Sequence, residues 1–148
     1  DCKALKKVNL PKGICILAKK VFKNCLSLES LDIPAGVVKI DDQALYYCQN
    51  VMDITLPEGL LYLGKECLYG CGFNYGPQLE GEWGYSKRKL SIPASVNQID
   101  DGGYGLFAQY PKAQELFGVF EYKLILQVKK GSIAHRYAAK KKIRFELV

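Results

Sequence analysis

Six cysteines, a single histidine, two pairs of adjacent carboxylates and a run of basic residues are the side chains of this 148-residue chain that could carry chemistry. A zinc centre would want C-x₂-C or Cys/His pairs at short spacing, and the chain has neither, so no metal is expected. The cysteines first suggest a disulfide framework. Yet Cys2, Cys25, Cys48 and Cys71 fall 23 residues apart, in one column of a repeat. Rungs stacked in register would bring their Cα atoms within disulfide range, but parallel stacking points the side chains the same way and disfavours the torsion. Cys15 and Cys67 occupy columns otherwise held by Val38 and Leu61, and by Val21 and Ala44. The expectation is six small, buried, reduced hydrophobes. His135 has no motif that places an acid and a nucleophile beside it, as a triad would need. Asp41-Asp42 and Asp100-Asp101 recur at one repeat site and read as turn residues. Two adjacent carboxylates are too few oxygens for calcium. No catalytic residue and no cofactor are expected.

Lys140, Lys141, Lys142 and Arg144, with Lys129, Lys130 and Arg136 near, form the densest basic run. Cations suit a helix C-terminus, and a net charge of +6 is mild, so a solvated helix face is expected and nucleic acid is not. No stretch of 18 apolar residues occurs, so no membrane insertion is expected.

These residues take their positions from a 23-residue repeat. Leu5 to Ser27, Leu28 to Asn50 and Val51 to Phe73 are three copies, with prolines at Pro11, Pro34 and Pro57. A fixed period of this length is the signature of stacked repeats. Ahead of each proline the pattern L-x-x-L-x-L places Leu5, Val8 and Leu10, then Leu28, Leu31 and Ile33, then Val51, Ile54 and Leu56 inward. Its final period of two predicts a short strand, which proline ends for want of an N–H. Gly13, Gly36 and Gly59 are expected to permit the turn that follows. Two further inward columns are Ile14, Val37, Leu60 and Leu17, Ile40, Leu63. The closing segment, such as DDQALYYC, is too short for an independent helix and is expected to form one helical or 3₁₀ turn.

The pattern restarts at Leu90, Ile92 and Pro93, and again at Leu126-Gln127-Val128 with Lys129 at the proline site. Each of these steps is 36 residues, or 23 plus 13. The 13-residue extras leave the stack from one edge, one rung apart. The first, about 72–86, is GFNYGPQLEGEWGYS and holds Phe73, Tyr75, Trp83 and Tyr85; the second, about 108–122, holds Tyr110, Phe117, Phe120 and Tyr122. The two insertions either pack on each other or present aromatics to a partner; aromatics on loops of a rigid scaffold suit binding. Ser132 is a good helix N-cap, Ile133 to Lys142 has helix-forming composition, and Ile143 to Leu147 reads as a closing strand. The chain also opens inside a repeat, since Cys2 occupies the column of Cys25, and further repeats or a cap are expected ahead of it.

The unit L-x-x-L-x-L-P-x-G-L-x-x-I-x-x-x-A-F-x-x-C is similar to the BspA-like leucine-rich repeat. The ending Lys130-Gly131-Ser132-Ile133-Ala134 through Tyr137-Ala138 to Ile143 looks like that family's C-terminal closure. The resemblance covers nearly the whole chain. It implies a secreted or cell-surface bacterial protein built as a parallel-stranded horseshoe, with adhesion or binding of host proteins as its function. The two insertions, and Phe107 in place of a cysteine, depart from the pattern.

The resulting expectation is a right-handed leucine-rich-repeat solenoid, an α/β horseshoe of short parallel strands with short helical or 3₁₀ turns on the convex side. One domain spans 1–148: regular repeats over 5–73, two interrupted repeats over about 74–131 and a cap over 132–148. Its expected role is non-catalytic binding or adhesion, extracellular or at a bacterial surface. The competing role is a structural spacer in a longer surface protein with no ligand of its own. A protein or glycan partner, host-derived ligands included, is expected at the insertion edge on Phe73, Tyr75, Trp83, Tyr85, Arg88 and Tyr110. The alternative surface is the strand face of Asn9, Asp32, Thr55, Ser91 and Gln127.

Overall fold

The computed structural model describes residues 1–51, 53–71, 88–103, 105–107 and 124–148. They form two parallel sheets. In the first, β1 (Ile16–Leu17), β2 (Lys39–Ile40), β3 (Tyr62–Leu63) and β5 (Gln98–Ile99) pair in that order. In the second, β4 (Arg88–Ser91) pairs with β6 (Leu124–Val128), and β6 with β7 (Phe145–Leu147). The first sheet keeps the repeat register: Leu17 pairs with Ile40, Ile40 with Leu63 and Leu63 with Ile99. Each strand places that residue inward and its predecessor outward, and Leu17, Ile40 and Leu63 are 2%, 0% and 0% exposed. Val37, Leu60 and Val96 line the core one turn earlier, and Leu28, Leu31, Val51 and Leu56 fill it from the segment ahead of the proline. Burying such a side chain contributes roughly 1.5–3 kcal/mol, and each rung finds that burial against its neighbours.

In the first three copies the strands do not fall where the leucine pattern puts them, whereas β4 and β6 do. Among the described residues of the first three copies, the segment ahead of the proline contributes one isolated bridge, Lys7 to Ser30. The continuous ladder lies after the glycine. Pro11, Pro34 and Pro57 close that segment in each copy without an N–H to offer a neighbour; proline alone does not set the outcome, because β4, ahead of Pro93, pairs over four residues with β6. Where Lys129 replaces proline, the expected ladder forms, β6 runs for five residues, and Ile92 N donates to Gln127 O at 3.0 Å. The glycines differ too. Gly13, Gly36 and Gly59 are not left-handed; the positive φ angles sit at Lys20, Gln43 and Glu66, and at Asn24, Tyr47 and Gly70.

Those residues belong to the closing segment of each copy, which is neither helical nor 3₁₀. It is a run of overlapping β-turns. Val21 N, Lys23 N and Cys25 N donate back to Ala18 O, Lys20 O and Phe22 O, while the intervening Lys20 N, Phe22 N and Asn24 N donate to Asp42 O, Ala44 O and Tyr46 O of the next rung. The next copy repeats the scheme, with Gln43, Leu45 and Tyr47 donating to Lys65, Cys67 and Tyr69. A helical turn would direct every N–H along its own axis. Left-handed residues four apart, Lys20 with Asn24 and Gln43 with Tyr47, accompany a pattern in which every second N–H reaches the neighbour, and those hydrogen bonds offset the strain of about 1–2 kcal/mol per left-handed residue. Glycine is required at Gly64 for room, because a Cβ there would lie 2.6 Å from Asp42 N.

The cap forms nearly as expected. The helix Ile133–Lys141 begins at Ser132, whose hydroxyl accepts from His135 N at 3.1 Å. Gly131, at φ 79°, makes the bend from β6 into it. Lys142 closes the helix in the left-handed region, its N–H reaching Ala138 O and Ala139 O. Ala134, Tyr137 and Ala138 form the buried stripe, and Ile133 is half-buried.

Candidate functional site

Among the cysteines, Cys25, Cys48, Cys67 and Cys71 are buried, but Cys2 and Cys15 are exposed. Cys15 precedes a two-residue strand whose inward residue is Leu17, and its column mates Val38 and Leu61 are exposed as well. All six thiols are free. The shared column has a polar function of its own: Cys48 Sγ donates to Phe22 O at 3.0 Å, and Cys71 Sγ to Leu45 O at 3.2 Å. Each thiol thus caps a carbonyl of the rung before it. Burial, with the neighbouring thiol Cys25, pushes Cys48 up to about 12. Burial likewise raises Cys67 and Cys71. The thiolate is the nucleophile and the metal ligand, so these three thiols are packing groups at neutral pH.

Several other titratable groups fasten the structure. His135 Nδ1 accepts from Gly131 N at 3.1 Å, and its ring meets Phe145 edge-on. Asp41 pairs with Lys39, and Asp42 with Lys19, each at 3.3 Å. Asp101 holds the last turn of the cap helix through Lys140 at 3.0 Å and Lys141 at 2.6 Å. Among the described residues, no three of His, Cys, Asp and Glu are grouped to hold a metal ion.

Two features escaped the sequence reading. Glu66 is 3% exposed and takes a hydrogen bond from Gln43 Nε2 at 2.6 Å, while Gln43 Oε1 accepts from Lys23 Nζ at 3.1 Å. Beside that chain, Tyr46 stacks on Tyr69 at 5.3 Å, Tyr47 tilts against both, and Lys23 Nζ lies 4.8 Å from the Tyr46 ring centre. The signal was present, since Lys23, Tyr46 and Tyr69 stand 23 residues apart.

Of the expected binding residues, Phe73, Tyr75, Trp83, Tyr85 and Tyr110 lie outside the described residues, and Arg88 opens β4. On the strand face, Asn9, Asp32, Thr55 and Ser91 are exposed and Gln127 is half-buried. Ser91 pairs with Gln127, and Gln127 with Glu146. Lys89 Nζ bridges to Glu146 Oε2 at 2.7 Å across the same sheet. The pairing brings the C-terminal part of that stripe together on adjacent strands.

Residues 1–76 match the family described as the BspA type leucine rich repeat region (6 copies). The chain belongs to this family. The BspA-type match spans all three regular copies. Leucine-rich repeat domains generally mediate protein interactions and are generally non-catalytic, and the BspA type is associated with bacterial surface proteins. No curated protein matches the chain, and no solved structure does. Among the described residues no helix is long and apolar enough to cross a membrane.

Proposed function

We propose that this BspA-type chain is a non-catalytic protein-binding or adhesion module of a bacterial surface or secreted protein. It is read as one repeat domain over 1–148, coiled as a right-handed solenoid, with regular repeats over 5–73, interrupted repeats over about 74–131 and a cap over 132–148. One observation carries the reading. Four of the six thiols are buried in the stack, and two of them cap a carbonyl of the rung before, while the outward columns of both sheets are exposed or half-exposed. A rigid scaffold with exposed columns supports recognition rather than turnover.

The partner surface is assigned to the insertion edge, with Trp83, Tyr85 and Tyr110 as anchors and Phe73, Tyr75 and Arg88 beside them, because hot spots favour Trp, Tyr and Arg. The strand face offers small polar side chains and little apolar area. The experiment presents the chain to immobilised host extracellular proteins and glycans and measures the affinity of any that it retains. Trp83→Ala should weaken binding by about 2 kcal/mol or more, and Thr55→Ala or Ser91→Ala should change it little. Loss of binding through the strand-face changes alone, in folded protein, would move the site to that face. Retention of no partner at all would leave the spacer role.

A further inference from the structure

The outer face of the first sheet carries an apolar ladder that the insertion-edge reading does not use. Cys15, Val38, Leu61 and Asn97 form one column, tied rung to rung by Val38 N to Cys15 O, Leu61 N to Val38 O and Asn97 N to Leu61 O. Ile16, Lys39, Tyr62 and Gln98 form the column beside it. Ile16 is 52%, Val38 38% and Leu61 42% exposed. Cys15 is exposed and Tyr62 half-exposed, with the Lys39 ammonium 4.9 Å from the Tyr62 ring centre. Five apolar side chains on three successive rungs, about 4.8 Å apart, form a contiguous patch, whereas single exposed apolar residues are ordinary.

Charge distribution selects the occupant. Residues 1–27 hold seven lysines against one carboxylate, and residues 124–148 seven basic residues against one. Residues 28–71, which carry most of the ladder, hold two lysines against seven carboxylates. Lys39 with Asp41, and Lys19 with Asp42, neutralise each other at the ladder, and the remaining excess over residues 28–71 is anionic. The anionic field reaches the ladder: the Tyr62 phenol is raised first by burial, then by Asp100, Asp42 and Asp41. Anionic lipid would be repelled here, and a neutral glycan would gain nothing from the apolar column.

We propose that this ladder docks an extended, cationic and partly apolar polypeptide segment of another protein, with apolar side chains on Val38 and Leu61 and cations toward the carboxylates. The ladder shares no residue with the proposed insertion-edge site, so its failure is distinguishable from failure of that site. The probe is a labelled twelve-residue peptide of alternating lysine and valine, followed by fluorescence anisotropy. It should bind, bind more weakly as salt rises, and bind at least tenfold more weakly to the charge-neutral double variant Val38→Ser, Leu61→Ser. A lysine-only peptide of the same length should also bind at least tenfold more weakly, and a glutamate–valine peptide should not bind. Ile16→Ser, at another exposed position, gives a second test should the double variant melt at lower urea. No binding of the lysine–valine peptide, equal binding to the wild type and the variants, or equal binding of the glutamate–valine peptide overturns the proposal. So does a dimer in sedimentation that Leu61→Ser dissolves, because the occupant is then a second copy meeting the ladder with one of its basic ends.

Discussion

The regular copies and the C-terminal closure solve one problem by different means. In residues 5–71 each rung is held by its neighbour through repeated backbone bonds, and the side chains that assist recur every 23 residues. At the closure the β6–β7 pairing continues the backbone bonds, and unique side-chain contacts are added to it. The Tyr137 hydroxyl accepts from Leu106 N at 2.9 Å, and Asp101 clasps Lys140 and Lys141. A repeated contact is shared across rungs, so losing one apolar group opens a cavity on both sides of it. A unique fastener is confined to one interface, and its loss is bounded by one hydrogen bond or one ion pair.

The largest effect that would break or sharpen this contrast is expected in the regular copies. Leu31 is 3% exposed in the central rung, and Leu31→Ala should cost about 2–5 kcal/mol in a urea melt, as buried leucine truncations do. A cost near zero would mean that the rung does not stack on both neighbours. Next comes the closure. Tyr137→Phe leaves the buried Leu106 N–H without its acceptor and should cost about 1–3 kcal/mol. Hydrogen exchange at Leu106 should quicken while amides of the first three copies hold their protection. Uniform quickening across the chain would make closure and rungs one cooperative unit.

The smallest effect is electrostatic. Burial raises the Asp101 carboxyl, but hydrogen bonds from Lys141 and Lys140 and their charges outweigh it, and its pKa is lowered. A lowered folded-state pKa gives stability that is present above the ordinary carboxylate value of about 4 and is lost as pH falls through the folded value. Asp101→Asn should therefore cost no more than about 1 kcal/mol at neutral pH, and the gap from wild type should close on acidification. A gap that widens in acid would reverse the sign.

The core was legible in the sequence because burial follows side-chain period, and Val37, Ile40, Leu60 and Leu63 fall inward as their columns require. The position of the ladder was not. The leucines mark which residues are inward, whereas the period alone does not say which stretch of the rung pairs with its neighbour. The turn side misled for a related reason. Lys20, Gln43 and Tyr47 adopt left-handed angles that their residue types do not announce, and the reward lies in the next rung. Ser132 and the cap helix were legible because capping is local. Exposure of Cys15, Val38 and Leu61 was hidden, since three apolar residues in one column read as core.

Four thiols are committed to the stack, and the outward columns are left for a partner. Thiol labelling without reductant, read by mass, tests it most directly. Native protein should take up label at Cys2 and Cys15 alone, and Cys25, Cys48, Cys67 and Cys71 should add four more labels after denaturation. Rapid native labelling at Cys48 or Cys71, or a disulfide that survives denaturation, would contradict the account.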